Sequence, residues 1–188
     1  CRIAAAQGTA AVKLDKPGLV IMCADNGVVA EGVSQVGQEV TSTVTANFVQ
    51  HATSVAIMSA KSGVDIFPVD IGVNNDFPAE LHAKGLIDRK IAYGTKNMVQ
   101  EPAMTEAEAV QAIEVGLNLA VALAEQGYNI LATGEMGIGN TTSSSAILSV
   151  LLDEPVEKMT GIGSGLTRAG IQRKQQAIAT AIAKHRPD

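Results

Sequence analysis

Residues 105–148 read TEAEAVQAIEVGLNLAVALAEQGYNILATGEMGIGNTTSSSAIL, and a change of period inside this stretch decides the fold. From Thr105 to Gly127 apolar residues recur at helical intervals. Thr105 and Glu108 are spaced as a capping box, Glu106 and Glu108 suit the positive end of a helix dipole, and Gly127 marks a stop. YNILATGE is then a short apolar run of strand type, and NTTSSSAILSVLL after the glycines is a second helix. Helix, strand and helix in quick succession form the repeating unit of a parallel sheet.

Working outward, PGLVIMCAD at 17–25 reads as a buried parallel strand and VDIFPVDIGV at 64–73 as another. In the latter, Pro68 removes a ladder donor and predicts a strand interrupted or ending near an edge. LIDRKIAYG at 86–94 gives a possible third strand. Residues 38–60 carry Val40, Val44, Phe48, Val55 and Met58 at helical intervals, but their many Thr and Val residues form helix weakly, so burial should decide the segment, as two helices. TRAGIQRKQQAIATAIAKH at 167–185 is the last helix. The expectation is one α/β domain over residues 1–188, with an open, mostly parallel, Rossmann-like sheet and helices on both faces. The start at Cys1 and the stop at HRPD directly after a helix further suggest the central portion of a longer protein, with the sheet incomplete here.

Of the 188 residues 46% are hydrophobic and 18% charged, enough to bury a core without disulfide or metal staples, although the aromatic share of 3% leaves that core to aliphatic side chains. A formal charge of −5 disfavours a nucleic-acid surface. Cys1 and Cys23 have neither metal-ligand nor disulfide spacing, and Cys23 within its apolar strand reads as a buried thiol. No apolar run is taken to approach the roughly 20 residues of a membrane helix, and the N-terminus lacks signal-peptide features, so the chain is expected to be soluble and cytoplasmic.

Ligands of open α/β sheets collect at the carboxyl ends of strands, where Asp25, Asp70 and Glu135 fall. The GEMGIGN run is neither a P-loop nor a dinucleotide fingerprint, because its spacing is GxxGxG. Gly134, Gly137 and Gly139 would let backbone approach a ligand, and Asn140 or Thr141 would cap a helix whose free N–H groups suit an anion. Gly161, Gly163 and Gly165 precede the helix that carries Lys174, so two glycine loops and one lysine could hold a phosphate monoester. Composition leaves open the alternative that these are packing turns. Val33, Val36 and Val44 could wall a flat apolar pocket or cover the core, while His51, His82 and His185 read as surface or capping residues.

Taken together, CADNGVVAEGVS, VTSTVTANF, VDIGVNNDFP, EPAMTEAEA, GEMGIGNTT and GIGSGL followed by QRK resemble the nicotinate-nucleotide:dimethylbenzimidazole phosphoribosyltransferase family, in order over nearly the whole chain. The resemblance implies transfer of phosphoribose from nicotinate mononucleotide to 5,6-dimethylbenzimidazole or a related base, giving α-ribazole 5′-phosphate and nicotinate in assembly of the cobalamin nucleotide loop. It further implies a homodimer needing no metal or other cofactor; that there is no nucleic-acid or membrane partner is the expectation from charge and hydropathy above. By position it places Glu135, Gly137, Gly139 and Asn140 around the phosphoribosyl group and Gly163 and Lys174 at the phosphate. Ser34, Val36, Val44 and Met136 fall at the base. The family's general base is a glutamate in a Gly-Glu-Gly-like motif near the C-terminus, which has no match among these 188 residues. Two other readings stay open: a noncatalytic binder of the nucleotide or the base, and a regulatory or assembly domain whose glycine loops only pack.

Overall fold

Pro17–Ala24 forms the central strand, β1, and its alternation shows why. Ile21 and Cys23 point to one face and are buried in a cluster with Phe48 and Val73. In the computed structural model, which describes residues 2–187, β1 follows a short helix, α1 (Arg2–Gln7), and leads into a 3₁₀ turn at Gly27–Glu31. The chain continues through α2 (Glu39–Phe48), α3 (Ser54–Ser62), β2 (Asp65–Gly72), α4 (Ala79–Ala83), β3 (Ile87–Asp88), α5 (Glu106–Glu125), β4 (Ile130–Met136), α6 (Asn140–Leu151), α7 (Val156–Met159) and α8 (Arg168–His185). Cys1 lies outside the described residues.

The sheet has the order β3-β2-β1-β4 and all its pairings are parallel, as expected for strands separated by helices. The registers Ile21↔Pro68, Ile21↔Gly134 and Cys23↔Met136 bring the carboxyl ends of β1, β2 and β4 level. The expected break at Pro68 does not occur. Asp70 presents its carbonyl to Arg89 on the β3 side, and the two-residue strand repeat puts the Pro68 nitrogen on that side too. Pairing with β3 begins only at Val69↔Ile87, so the missing N–H faces no partner strand.

The expected third strand shrinks to Ile87–Asp88. Beyond it the backbone leaves the ladder and wraps the strand ends: Ile91 N donates to Ile71 O, Gly94 N to Gly72 O and Thr95 N to Asp25 O. Residues 38–60 do divide in two, because His51 turns left-handed at φ 52° and Thr53 caps α3 by accepting from Ala56 N.

At the amino end of the sheet Phe67 and Tyr128 meet edge to face, 5.0 Å between centroids, above Gly18, where a Cβ would stand 3.0 Å from both Phe67 and Leu131. The face holding Ile21 and Cys23 is covered by α2 and α3. α5 and the start of β4 leave apolar side chains in solvent, with Ile113 64%, Leu117 62% and Ile130 37% exposed. α5 is 20 residues long and contains an 18-residue window of mean hydropathy 1.4, which meets the length and composition of a membrane span and corrects the expectation that no run approaches one. In this fold α5 is the crossover that returns the chain to β4 beside β1, and its capping box forms as read: Thr105 Oγ1 accepts from Glu108 N while Glu108 Oε2 accepts from Thr105 N at 2.7 Å.

Candidate functional site

The three acids at the strand ends have different surroundings. Asp70 is an internal strut: Oδ1 accepts from Val73 N and Oδ2 pairs with Lys90 Nζ at 2.9 Å. Asp25 is 1% exposed; Oδ2 accepts from Asn74 N at 2.8 Å, whereas Oδ1 has no partner among the described residues. Burial raises its pKa, opposed in turn by the Asn74 N–H, the nearby Thr41 hydroxyl and the Lys90 charge. Glu135 is the acid that reaches the glycine run, where Asn140 Nδ2 donates to its Oε2. Although the residue is solvent-accessible, packing around its carboxylate raises its pKa, and the Asn140 bond opposes the rise.

Two of the glycines are required by packing within the chain. A Cβ on Gly137 would overlap the Ala24 carbonyl oxygen and stand 2.8 Å from Glu135 Oε1 and 2.9 Å from Asn26 Nδ2. Gly139, at φ 89°, would meet Val29 at 2.7 Å. These glycines let the loop after β1 press against the start of α6, and that close packing is what requires them. Asn140 and Thr141 do not cap α6: the N-cap is Gly139, with Asn140 the first helical residue. Its N-terminal amides have acceptors already, Asn140 N on Gly137 O, Thr141 N on Asn140 Oδ1, and Thr142 and Ser143 N on Gly139 O. Even Ile138 N is taken, by Thr41 Oγ1 at 3.0 Å. The expected set of free N–H groups for an anion is therefore absent at this helix end.

The cationic group is built elsewhere. Lys174 on α8 has 0% exposure, and its Nζ donates to Thr141 Oγ1 at 2.7 Å and weakly to Gly161 O at 3.4 Å. No carboxylate pairs with it among the described residues, whose ion pairs join Lys84 to Glu80, Lys90 to Asp70 and Lys158 to Glu154. Burial lowers its pKa. Gly163, at φ 58°, comes so close that a Cβ would sit 3.1 Å from Thr141 Oγ1 and 3.3 Å from Lys174 Nζ. Lys174, Gly163 and the start of α6 thus meet as the sequence suggested. The ammonium is buried against hydroxyl and carbonyl oxygens with no counter-ion among the described residues.

The residues expected at the base divide into two groups. Val44 and Met136 both pack against the cluster of Ile21, Cys23, Phe48 and Val73. They are tied by the Thr41–Ile138 bond, since Thr41 lies one turn before Val44 on α2 and Ile138 two residues after Met136. Ser34 and the 41% exposed Val36 lie on the loop before α2, where Ser34 Oγ accepts from Val36 N. This loop is joined to the second glycine run by Gln35 Nε2, which donates to Gly165 O, and to α8 by Arg173 Nε, which donates to Gly32 O. Val33 is core, 3% exposed and packed with Val28 and Ala177. A cavity of about 380 Å³ lined by Ala24, Gly72, Tyr93, Gly94, Lys96 and Glu108 touches none of the expected residues.

Asn26, Thr41 and Asn74 escaped the sequence reading because each looks locally like a turn or helix residue; only their contacts across the chain mark them. His82 Nδ1 lies 3.0 Å from Leu86 O and His185 Nε2 2.7 Å from Met98 O, and neither carbonyl belongs to a helix, so these contacts are not helix caps; His51 and His185 are exposed, as expected of surface residues. No group of three or more His, Cys, Asp or Glu able to hold a metal ion occurs among the described residues.

Comparison with known proteins places this geometry among relatives. The family model described as phosphoribosyltransferase matches residues 1–188. The chain is 47% identical over 93% of its length to the nicotinate-nucleotide–dimethylbenzimidazole phosphoribosyltransferase of Acetivibrio thermocellus, covering 49% of that protein. Against the protein of the same name from Roseiflexus castenholzii it is 41% identical over 100% of its length, covering 52%. The crystal structure of CobT from Thermus thermophilus superposes with a TM-score of 0.92 at 39% identity, over 97% of this chain and 54% of that one. The chain spans about half the length of the curated relatives it matches.

Proposed function

The chain belongs to this phosphoribosyltransferase family, whose model spans residues 1–188, and from that membership we propose that the protein transfers phosphoribose from nicotinate mononucleotide to 5,6-dimethylbenzimidazole or a related base. The products are α-ribazole 5′-phosphate and nicotinate, as cobalamin nucleotide-loop assembly requires. The observation that carries the proposal is Lys174, a fully buried ammonium with no carboxylate partner among the described residues, beside Thr141 and Gly163.

In the proposed reaction the C1′–N bond to nicotinate breaks as a ring nitrogen of the base bonds to C1′, and positive charge develops on the ribose. Lys174 and Thr141 would hold the 5′-phosphate, fixing C1′ at a set distance from them. Glu135, kept in place by Asn140, would face the developing charge. Val44 and Met136 would offer an apolar wall to the base, and Ser34 and Val36 would close it from the loop tied to Gly165 through Gln35. The base's N–H proton must pass to a carboxylate, which the family supplies from a glutamate outside the motifs matched here; Glu135 is not assigned that role. A homodimer forms part of the proposal, supported by the apolar groove of Ala146, Ile147, Val150, Leu151, Ala181 and Ile182.

The test is to incubate the protein expressed from its complete reading frame with nicotinate mononucleotide and 5,6-dimethylbenzimidazole and to detect α-ribazole 5′-phosphate by mass spectrometry. Absence of product with this base and with several related bases would refute the proposal.

A further inference from the structure

Asn26 stands at the N-cap of the 3₁₀ turn Gly27–Glu31, where an Asn ordinarily turns its side-chain oxygen to a backbone N–H of its own helix. Here the side chain makes no such bond. It crosses to the loop after β4 instead: Nδ2 donates to Ile138 O at 3.3 Å, and Oδ1 accepts from Ser143 Oγ at 2.8 Å. The carbonyl of Ile138 can only accept, so the amide orientation is settled by chemistry. A residue that gives up its local capping role for two contacts over 110 positions away signals a requirement beyond local stability.

What those contacts hold is the turn that carries the site. Between Ile138 and Ser143 lie Asn140, which binds Glu135, and Thr141, which binds Lys174. Gly137 and Gly139 admit the clamp, because a Cβ on either would stand within about 3.2 Å of Asn26 atoms. The Asn26 carbonyl is itself secured by Gln38 Nε2 at 3.2 Å, and Gln38 Oε1 accepts from Asn74 Nδ2 at 3.4 Å. The ends of β1, β2 and β4 are thereby joined through the side chains of Asn26, Gln38 and Asn74.

We propose that Asn26 is a positioning residue for the nucleotide half of the site, setting the turn 137–143 so that Glu135 and Lys174 are presented together. This rests on the phosphoribosyltransferase reading above. Asn26→Asp keeps the shape and the acceptor for Ser143 but removes the donor to Ile138 and sets a carboxylate against its carbonyl. Ser143→Ala removes only the other bond.

In the protein from the complete reading frame, Asn26→Asp should raise KM for nicotinate mononucleotide about tenfold and leave KM for the base within about twofold, since misplacement costs the half it touches. Amide hydrogen exchange of residues 138–143 should quicken about tenfold while that of β1 and β2 is unchanged. Ser143→Ala should move both readouts the same way by less. Unchanged exchange in Asn26→Asp overturns the proposal, as does faster exchange with an unchanged nucleotide KM. If the unsubstituted protein forms no product, the functional reading fails on its own. The clamp is then decided by the same exchange measurement together with calorimetric affinity for nicotinate mononucleotide.

Discussion

Lys174 Nζ donates to Thr141 Oγ1 at 2.7 Å, which fastens α8 to the first turn of α6 through a lysine that has no solvent exposure and no carboxylate partner among the described residues. A buried charge in this state costs stability unless something outside the chain neutralises it.

Lys174→Met should therefore separate stability from binding. Removing the uncompensated charge while keeping the aliphatic stem should leave the melting temperature unchanged or raised. Affinity for nicotinate mononucleotide should fall roughly ten- to hundredfold, the loss of a charge-assisted hydrogen bond worth about 1.5–3 kcal/mol. Affinity for the free base should not change. Calorimetric titration of both ligands beside a thermal melt checks this, and equal nucleotide affinity would remove Lys174 from the phosphate.

The same lysine implies a pH dependence. Burial lowers its pKa from the ordinary 10.5, so the unfolded chain keeps the proton to higher pH than the folded one. Stability thus rises with pH between the lowered value and 10.5, because the cost of burying charge is complete below that window and relieved above it. Anion binding runs the opposite way. The affinity advantage of the unsubstituted protein over Lys174→Met should shrink as pH rises through that window, measured with nicotinate mononucleotide from pH 7 upward.

Asn140→Asp should turn the brace on Glu135 into a repulsion. The Glu135 pKa is already raised above 4.5 by burial, so ionising it costs folded-state stability, and a neighbouring carboxylate adds to that cost. The variant's deficit in melting temperature should be small near pH 4 and widen toward neutrality, as thermal scans across that range would show. A constant deficit would mean that the two side chains do not interact.

Gly137→Ala tests the close approach of the loop after β1. Its Cβ would overlap the Ala24 carbonyl oxygen, a backbone atom that cannot swing away. Denaturant unfolding should show destabilisation of about 1–3 kcal/mol, the usual cost of overpacking. Thr105→Ala, losing the cap of α5, should cost about 1 kcal/mol without touching ligand affinity.

Cys23 should be inert. It is 0% exposed, and burial pushes its thiol to about 12, with the Thr45 hydrogen bond opposing. In a Cys1→Ser background, a thiol reagent at pH 8 should label the protein only after denaturant is added. Labelling of the native protein would show that β1 opens.

Local pattern carried much of the fold. The periods of α5 and α6, the capping box at Thr105 and the apolar runs of β1, β2 and β4 are properties of neighbouring residues, so they could be read from the chain. Pro68 and the segment 86–94 misled for a shared reason. Whether Pro68 interrupts a strand depends on where β3 starts, and whether residues 89–95 extend β3 depends on where the carbonyls of Ile71, Gly72 and Asp25 stand, which no local rule contains.

For the site, the sequence by itself determined which chemistry was available: an acid after β4, glycines on either side of α6, and a lysine on α8, in an order that resembles a phosphoribosyltransferase. Only the tertiary structure decided how each would be used. It closed the amides at the start of α6 with their own loop, Asn140 and Thr41, gave Gly137 and Gly139 to backbone packing, and left the buried charge of Lys174 without a counter-ion among the described residues. The physical reason is that burial and hydrogen-bond satisfaction depend on residues over 100 positions apart, as Asn26 and Ser143 are, and become defined only when the strands align their carboxyl ends.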